Sequence, residues 1–234
     1  INRKTYNEDG VGGMHVYSPW WLDNKKLDFP RGYHIEIDRS FAMPQYGFGY
    51  NPNELNRFFG LKVGGYGDKL RQDVKKYYGS IIGLSGRGEA IPRKDNYCEI
   101  DPDTKDKWGI PVLKFRYKWS DYEIKQVKHM HDTFEELAYN MGGIALGNKP
   151  TKEQNYGISA PGEIIHEVGT TRMGDDPYNS VVNKYERLHD VDNVYVVDGG
   201  PFVSQADKNP TWTIMALSWR TSEYIIDQLK KQNI

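Results

Sequence analysis

The chain has 234 residues, 38% of them hydrophobic, with 31 basic against 32 acidic side chains for a formal net charge of -1. That length can bury a sizeable core in one large domain or one and a half ordinary ones. No block of like charge is long enough to make a polyanion or membrane footprint, so nucleic acid is not expected as a partner. The single cysteine, Cys98, excludes an internal disulfide and a thiolate metal cluster and reads as a plain strand residue. No run approaches the roughly 18 apolar residues of a membrane-spanning helix, and nothing resembles a signal peptide. The chain therefore reads as soluble, cytoplasmic or periplasmic, and its opening, INRKTYNEDGVGGMHVYSPWW, reads as the middle of a longer fold.

Residues 1 to 60 carry short apolar or alternating runs, Met14 to Trp21 and Tyr33 to Ile37, between Gly, Pro and Asn. This pattern predicts strands and long loops with little helix. Tyr17, Trp20, Trp21, Phe41, Tyr46, Phe48 and Tyr50 offer either a sugar-stacking surface or ordinary packing area. Further on, a short helix is predicted near Asp68 to Tyr78, an apolar strand at Ser80 to Leu84, and strands at Tyr97 to Ile100 and Pro111 to Trp119, together an antiparallel sheet. Ser120 followed by Glu123 makes a capping box, and Ile124, Val127, Met130, Phe134, Leu137 and Met141 then recur on one helical face until Gly142 and Gly143. His129 and His131 stand two apart on that helix and face differently, which is poor geometry for a shared metal ion. No metal site is assigned.

Residues 143 to 162 read as loop. Beyond them, Glu163 to Val168 is strand-like, and Val194 to Val197 reads as a buried strand ending in Asp198-Gly199-Gly200. Asn209-Pro210-Thr211 reads as a helix start, with Asn as the cap and Pro at the first helical position. The unpaired amides of such a start carry about half a positive charge and can hold an anion. Ile214, Leu217, Thr221, Tyr224 and Ile225 would bury one face of that helix. Taken singly, Asp-Gly is a turn signal and one His is a structural residue as readily as a site; an imidazole, a carboxylate and a capped helix within about 45 residues form a constellation.

The run HEVGTTRMG, His166 to Gly174, and the segment from Ser180, SVVNKYERLHDVDNVYVVDGGPFVSQADKNPTWTIMAL, closely resemble the C-terminal signature of the glucose-methanol-choline (GMC) oxidoreductases. Gly88 to Trp119 resembles the sheet segment of that family's substrate domain. The resemblance implies an α+β fold: an antiparallel-sheet substrate domain covered by helices over residues 1–160, and over 161–234 the C-terminal strand-helix piece of a Rossmann-like FAD-binding domain. It implies FAD as cofactor, His166 as catalytic base with Asn209 beside it, and Asp198, Gly199, Pro210 and Thr211 at the cofactor. The expected reaction is oxidation of a CH-OH group of a sugar or alcohol, as in the bacterial dehydrogenase-like branch, with an electron-acceptor protein as a possible partner.

Relatives seat the ADP half of FAD on a strand, a G-x-G-x-x-G turn and a helix. The only near match here, Gly83 to Gly88, has its glycines in the wrong order and precedes Ala-Ile-Pro. An ADP-binding part is thus expected from a missing N-terminal half or from a second chain. A rival reading is a non-catalytic carbohydrate- or protein-binding module that keeps the motifs as relics.

Overall fold

The computed structural model describes residues 14–17, 25–38, 66–77 and 82–233. Trp20, Trp21, Phe41, Tyr46, Phe48 and Tyr50 lie outside them. The architecture is α+β, as expected, but among the described residues the strands fall into two small antiparallel sheets: Gly83–Gly88 joins one and the Tyr97–Lys105 and Pro111–Arg116 strands form the other, where the sequence suggests a single sheet. The chain divides into two compact units, one of Ile1–Gly88 with Ile124–Ile158 and one of Glu89–Glu123 with Ser159–Ile234.

In the first unit, strands β1 (Met14–Tyr17), β2 (Tyr33–Asp38) and β3 (Gly83–Gly88) form an antiparallel sheet in that order, and helix α1 (Gly67–Tyr77) lies between β2 and β3 in sequence. β2 reads Tyr-His-Ile-Glu-Ile-Asp, an alternation whose period of two sends Tyr33, Ile35 and Ile37 to one face and His34 and Glu36 to the other. Helix α2 (Asp121–Asn140) covers the first of these faces. Phe29, Tyr33, Ile35 and Met130 form the buried core, with Leu84, Val127, Phe134 and Leu137 packed around it. Val127, Met130, Phe134 and Leu137 of the predicted stripe pack here, whereas Ile124 is only partly buried and Met141 lies past the helix end and is exposed.

Of the strand predicted at Ser80 to Leu84, Ser80 and Ile81 lie outside the described residues, and the described strand runs over Gly83–Gly88, the segment whose glycines are in the wrong order for a dinucleotide-binding turn. Packing explains its glycines. Gly86 and Gly88 pair with Ile35 and Tyr33, so they point toward α2. A Cβ at Gly86 would overlap Met130 Sδ and lie 3.2 Å from Phe134 Cζ, and one at Gly88 would overlap Gln126 Oε1. Bare backbone on this edge lets the helix approach. His129 Nδ1 hydrogen-bonds Tyr33 Oη at 2.8 Å, and His131 Nε2 lies 2.9 Å from Tyr156 O, so both histidines have partners in this unit.

In the second unit, β4 (Tyr97–Lys105) and β5 (Pro111–Arg116) form a hairpin in which Cys98 opposes Phe115 and Ile100 opposes Leu113. The first strand runs longer than the sequence predicted and the second ends earlier. Asp106 sets the turn by accepting the amides of Trp108 at 2.8 Å and Ile110 at 2.9 Å. Ile100, Leu113 and Phe115 share one face of this ribbon and are exposed.

The capping box forms. Glu123 Oε2 accepts the Ser120 amide at 2.6 Å and the Ser120 hydroxyl, Ser120 Oγ accepts the Tyr122 amide at 3.3 Å, and Glu123 Oε1 accepts the Ile91 amide at 2.9 Å. Burial alone pushes the Glu123 carboxyl up, but the Ser120 hydroxyl and the backbone donors outweigh it, and the group sits below its ordinary value. A depressed folded-state value stabilises the fold above the unfolded value of about 4.3 and is lost as pH falls through the lower folded one. Glu123→Gln is therefore expected to cost roughly 1.5–3 kcal/mol at neutral pH. Urea titrations at several pH values should show that deficit shrinking below about pH 4.

Candidate active site

The C-terminal run of the second unit is held by backbone bonds between irregular segments. The Gly169, Thr171 and Met173 amides donate to the carbonyls of Gly199, Gly200 and Pro201 at 3.1, 3.1 and 2.9 Å. The H-x-x-G-T-x-x-M-G segment therefore lies along Gly199 to Pro201. Gly169 has φ +89°, and a Cβ there would come within 3.2 Å of Phe202 O, so a glycine is required at this point of the motif.

Two predicted strands do not form. Glu163 to Val168 is irregular, and Val194 to Val197 makes only the isolated bridge of Arg187 with Tyr195, plus amide bonds from Leu188 to Val194 O and from Val196 to Glu186 O. Val194 and Val197 are exposed. An apolar run becomes a buried strand only with neighbours on both sides, and here it has one loop beside it.

Helix α3 (Thr211–Lys230) follows, and Pro210 stands at its cap in place of the expected Asn209. The Pro210 carbonyl accepts the Ile214 amide at 3.0 Å, and no side chain caps the first turn. The Asn209 side chain is exposed and makes no hydrogen bond among the described residues, since the chain turns helical one residue after the position a cap would need. The predicted inner face does pack. Tyr224 stacks on Tyr185 with centroids 3.8 Å apart, and fully buried Thr221 donates to Glu186 Oε2 at 2.7 Å.

The three motif-bearing segments meet at Gly199. A Cβ added there would lie 3.0 Å from Val168 Cγ1, 3.6 Å from Glu167 O and 3.7 Å from Ile214 Cδ1. The neighbouring Gly200 amide donates to Asp198 Oδ1 at 2.7 Å, the turn expected of Asp-Gly, which leaves Oδ2 without a hydrogen bond among the described residues. Thr171 Oγ1 is buried beside Gly200 and also lacks a partner among the described residues. No sequence signal distinguished Thr171 from Thr170, because which hydroxyl turns inward depends on the backbone ladder.

His166 is exposed and has φ 109°, a region that L-residues rarely occupy. Such a conformation costs on the order of 1–3 kcal/mol and persists where the surroundings enforce it, often at functional sites. No hydrogen bond joins His166 to Asn209. The structure thus places His166 three residues before the Gly169 amide bond, Asp198 and Gly199 opposite that segment, and Pro210 and Thr211 at the start of the helix that reaches Gly199.

A family model described as GMC oxidoreductase matches residues 92–218, more than half of the chain. The chain belongs to the GMC oxidoreductase family. It is 28% identical over 217 residues to the 2-methyl-1,2-propanediol dehydrogenase of Mycolicibacterium austroafricanum, covering 92% of this chain and 37% of that protein. It is 29% identical over 186 residues to the fructose dehydrogenase large subunit of Gluconobacter japonicus, covering 78% of this chain and 32% of that protein. It is 32% identical over 172 residues to the 6'''-hydroxyparomomycin C oxidase of Streptomyces lividus, with 71% and 30% covered. This GMC chain spans about a third of the length of the curated relatives it matches. Among the described residues no helix is long and apolar enough to cross a membrane.

Proposed function

We propose that this chain is the substrate-facing portion of an FAD-dependent enzyme that oxidises a CH-OH group of a sugar or alcohol, with His166 as the base. The observation that carries the reading is the meeting of the His166, Asp198 and α3 segments at Gly199, within the span the family model matches. The similar proteins are named for oxidising 2-methyl-1,2-propanediol, fructose and 6'''-hydroxyparomomycin C, which supports a hydroxylated substrate.

The residues present suit one end of a flavin. The first turn of α3 has no side-chain cap, so its amide donors are available to an anionic ring edge near Pro210 and Thr211. Asp198 Oδ2 and the close-packed Gly199 offer a carboxylate acceptor and bare backbone beside it. Gly83–Gly88 is a sheet strand under a helix, and so is no seat for the pyrophosphate. We assign that seat to a dinucleotide-binding half supplied by the rest of the polypeptide or by another chain.

When bound, the flavin supplies the acceptor for the hydride lost from the carbinol carbon. His166 takes the hydroxyl proton, a role suited to an imidazole near neutral pH. Asn209, with donor and acceptor on one amide, orients the substrate oxygen. The partial positive charge at the start of α3 stabilises negative charge that builds toward Pro210 and Thr211 without needing to reorganise. A stripe on the outer side of α3, Trp212, Met215 and Trp219 at 88%, 65% and 71% exposed, offers an apolar seat for the dinucleotide-binding half. An acceptor protein or a small oxidant would be the final electron sink.

Purification of the protein from its host with its associated polypeptide tests this directly. Flavin absorption bands that bleach anaerobically on adding a sugar or polyol are expected. A colourless preparation that takes up no FAD and still binds sugar would instead make the chain a binding module.

A further inference from the structure

The face of the first sheet that points away from α2 carries a second cluster, and it lies outside the GMC motifs. His15 on β1 pairs directly with Glu36 on β2, and His34 lies two residues before Glu36 on the same strand, so the period of two puts all three on one face. One donor atom from each, two imidazole nitrogens and a carboxylate oxygen, lie within 4.8 Å of one another. Glu36 Oε1 is 3.9 Å from His15 Nδ1 and 3.6 Å from His34 Nε2, both longer than a hydrogen bond, and the imidazole centroids are 5.0 Å apart.

We propose that His15, His34 and Glu36 bind a divalent transition-metal ion of the zinc class, clasping β1 to β2. Two neutral imidazoles and one carboxylate form a donor set that suits such an ion and leaves a position for water. Metal-to-donor bonds of about 2.0–2.2 Å require the donors to close by only about an ångström, which side-chain torsions supply. The scaffold is fixed, because the two strands are held in register and His34 is almost completely buried.

Arg87, opposite His34 on β3, donates from Nε to Glu36 Oε2 at 2.9 Å and leaves Oε1 toward the imidazoles. That bond orients the ligand in the manner of an outer-sphere partner. The ion would enter from the His15 side, whose side chain is 34% exposed.

The test uses the protein purified with its associated polypeptide, stripped of metal with a chelator and titrated with Zn²⁺ by calorimetry and with Co²⁺ by visible absorption. One ion per chain, a Co²⁺ spectrum of four- or five-coordinate type, and a Zn²⁺-dependent rise in melting temperature are expected. His15→Ala and Glu36→Gln should each weaken binding by about 100-fold or more, beyond the 10–100-fold typical of losing an outer-sphere partner. His15 is at the exposed edge, so its replacement leaves the fold intact even if the Glu36 variant loses circular dichroism. Failure to bind Zn²⁺ at 100-fold molar excess, or undiminished binding in His15→Ala, overturns the proposal whatever the flavin chemistry proves to be.

Discussion

Replacing His166 with alanine in the flavin-loaded assembly is expected to slow anaerobic flavin reduction by roughly 100-fold or more, the usual scale for a positioned base. The backbone supplies an internal control. At φ 109° the wild-type residue carries strain of about 1–3 kcal/mol, which alanine keeps and glycine relieves. Glycine also loses about 0.5–1 kcal/mol to unfolded-state entropy, so His166→Gly should be more stable than wild type by about 1 kcal/mol. Both variants remove the imidazole. Stopped-flow reduction and urea unfolding together should show two slow enzymes, one of them stabilised. Reduction at the wild-type rate in either would sink the assignment of His166, and a destabilised glycine variant would show that the backbone there is not strained.

Gly86→Val is expected to lower stability by about 1–2 kcal/mol. Two opposing effects decide the size. Valine suits a strand better than glycine by about 1 kcal/mol. Against that, its Cβ overlaps Met130 Sδ and lies 3.2 Å from Phe134 Cζ, in a cluster where Met130 is 5% exposed and has little room to retreat. Overpacking of this kind costs about 1–3 kcal/mol, and more when the intruding group is branched. Ser85→Ala, on the same strand but opposite Glu36 on the other face, should change stability by under about 0.5 kcal/mol. Urea midpoints at constant slope measure both. A Gly86→Val protein as stable as wild type would show that α2 does not rest on β3.

The helix α2 was legible because cap, stripe and stop all act within one segment, through Ser120, Glu123 and Gly142. The hairpin was legible because β5 alternates and Asp106 to Gly109 forms a short turn. Features that depend on distant packing were not. Gly83 to Gly88 carries turn residues, and only the arrival of Met130 and Gln126 makes glycine the favoured residue of a pleat. Val194 to Val197 has the composition of an inner strand without the neighbours that would bury it. Asn209 before Pro210 suggested a cap, yet the helix takes its first carbonyl from Pro210 itself.

For the proposed site, the order of residues was readable and their meeting was not. Sequence placed an imidazole, a carboxylate and a helix start in succession, but their shared point at Gly199 arises from backbone bonds between irregular segments. The strain at His166 has no sequence signature. The second cluster was half visible: His-x-Glu at 34 and 36 shares a strand face by period alone, whereas His15 joins only through the β1–β2 register.

With one thiol in these 234 residues, a single dye can be attached to this chain at a single known address. Cys98 sits across from Phe115 on the hairpin, is partly accessible, and borders the bare Ile100 and Leu113 surface. A polarity-sensitive fluorophore there would brighten or dim as that surface gains a cover, turning assembly into an optical signal without engineering a second attachment point.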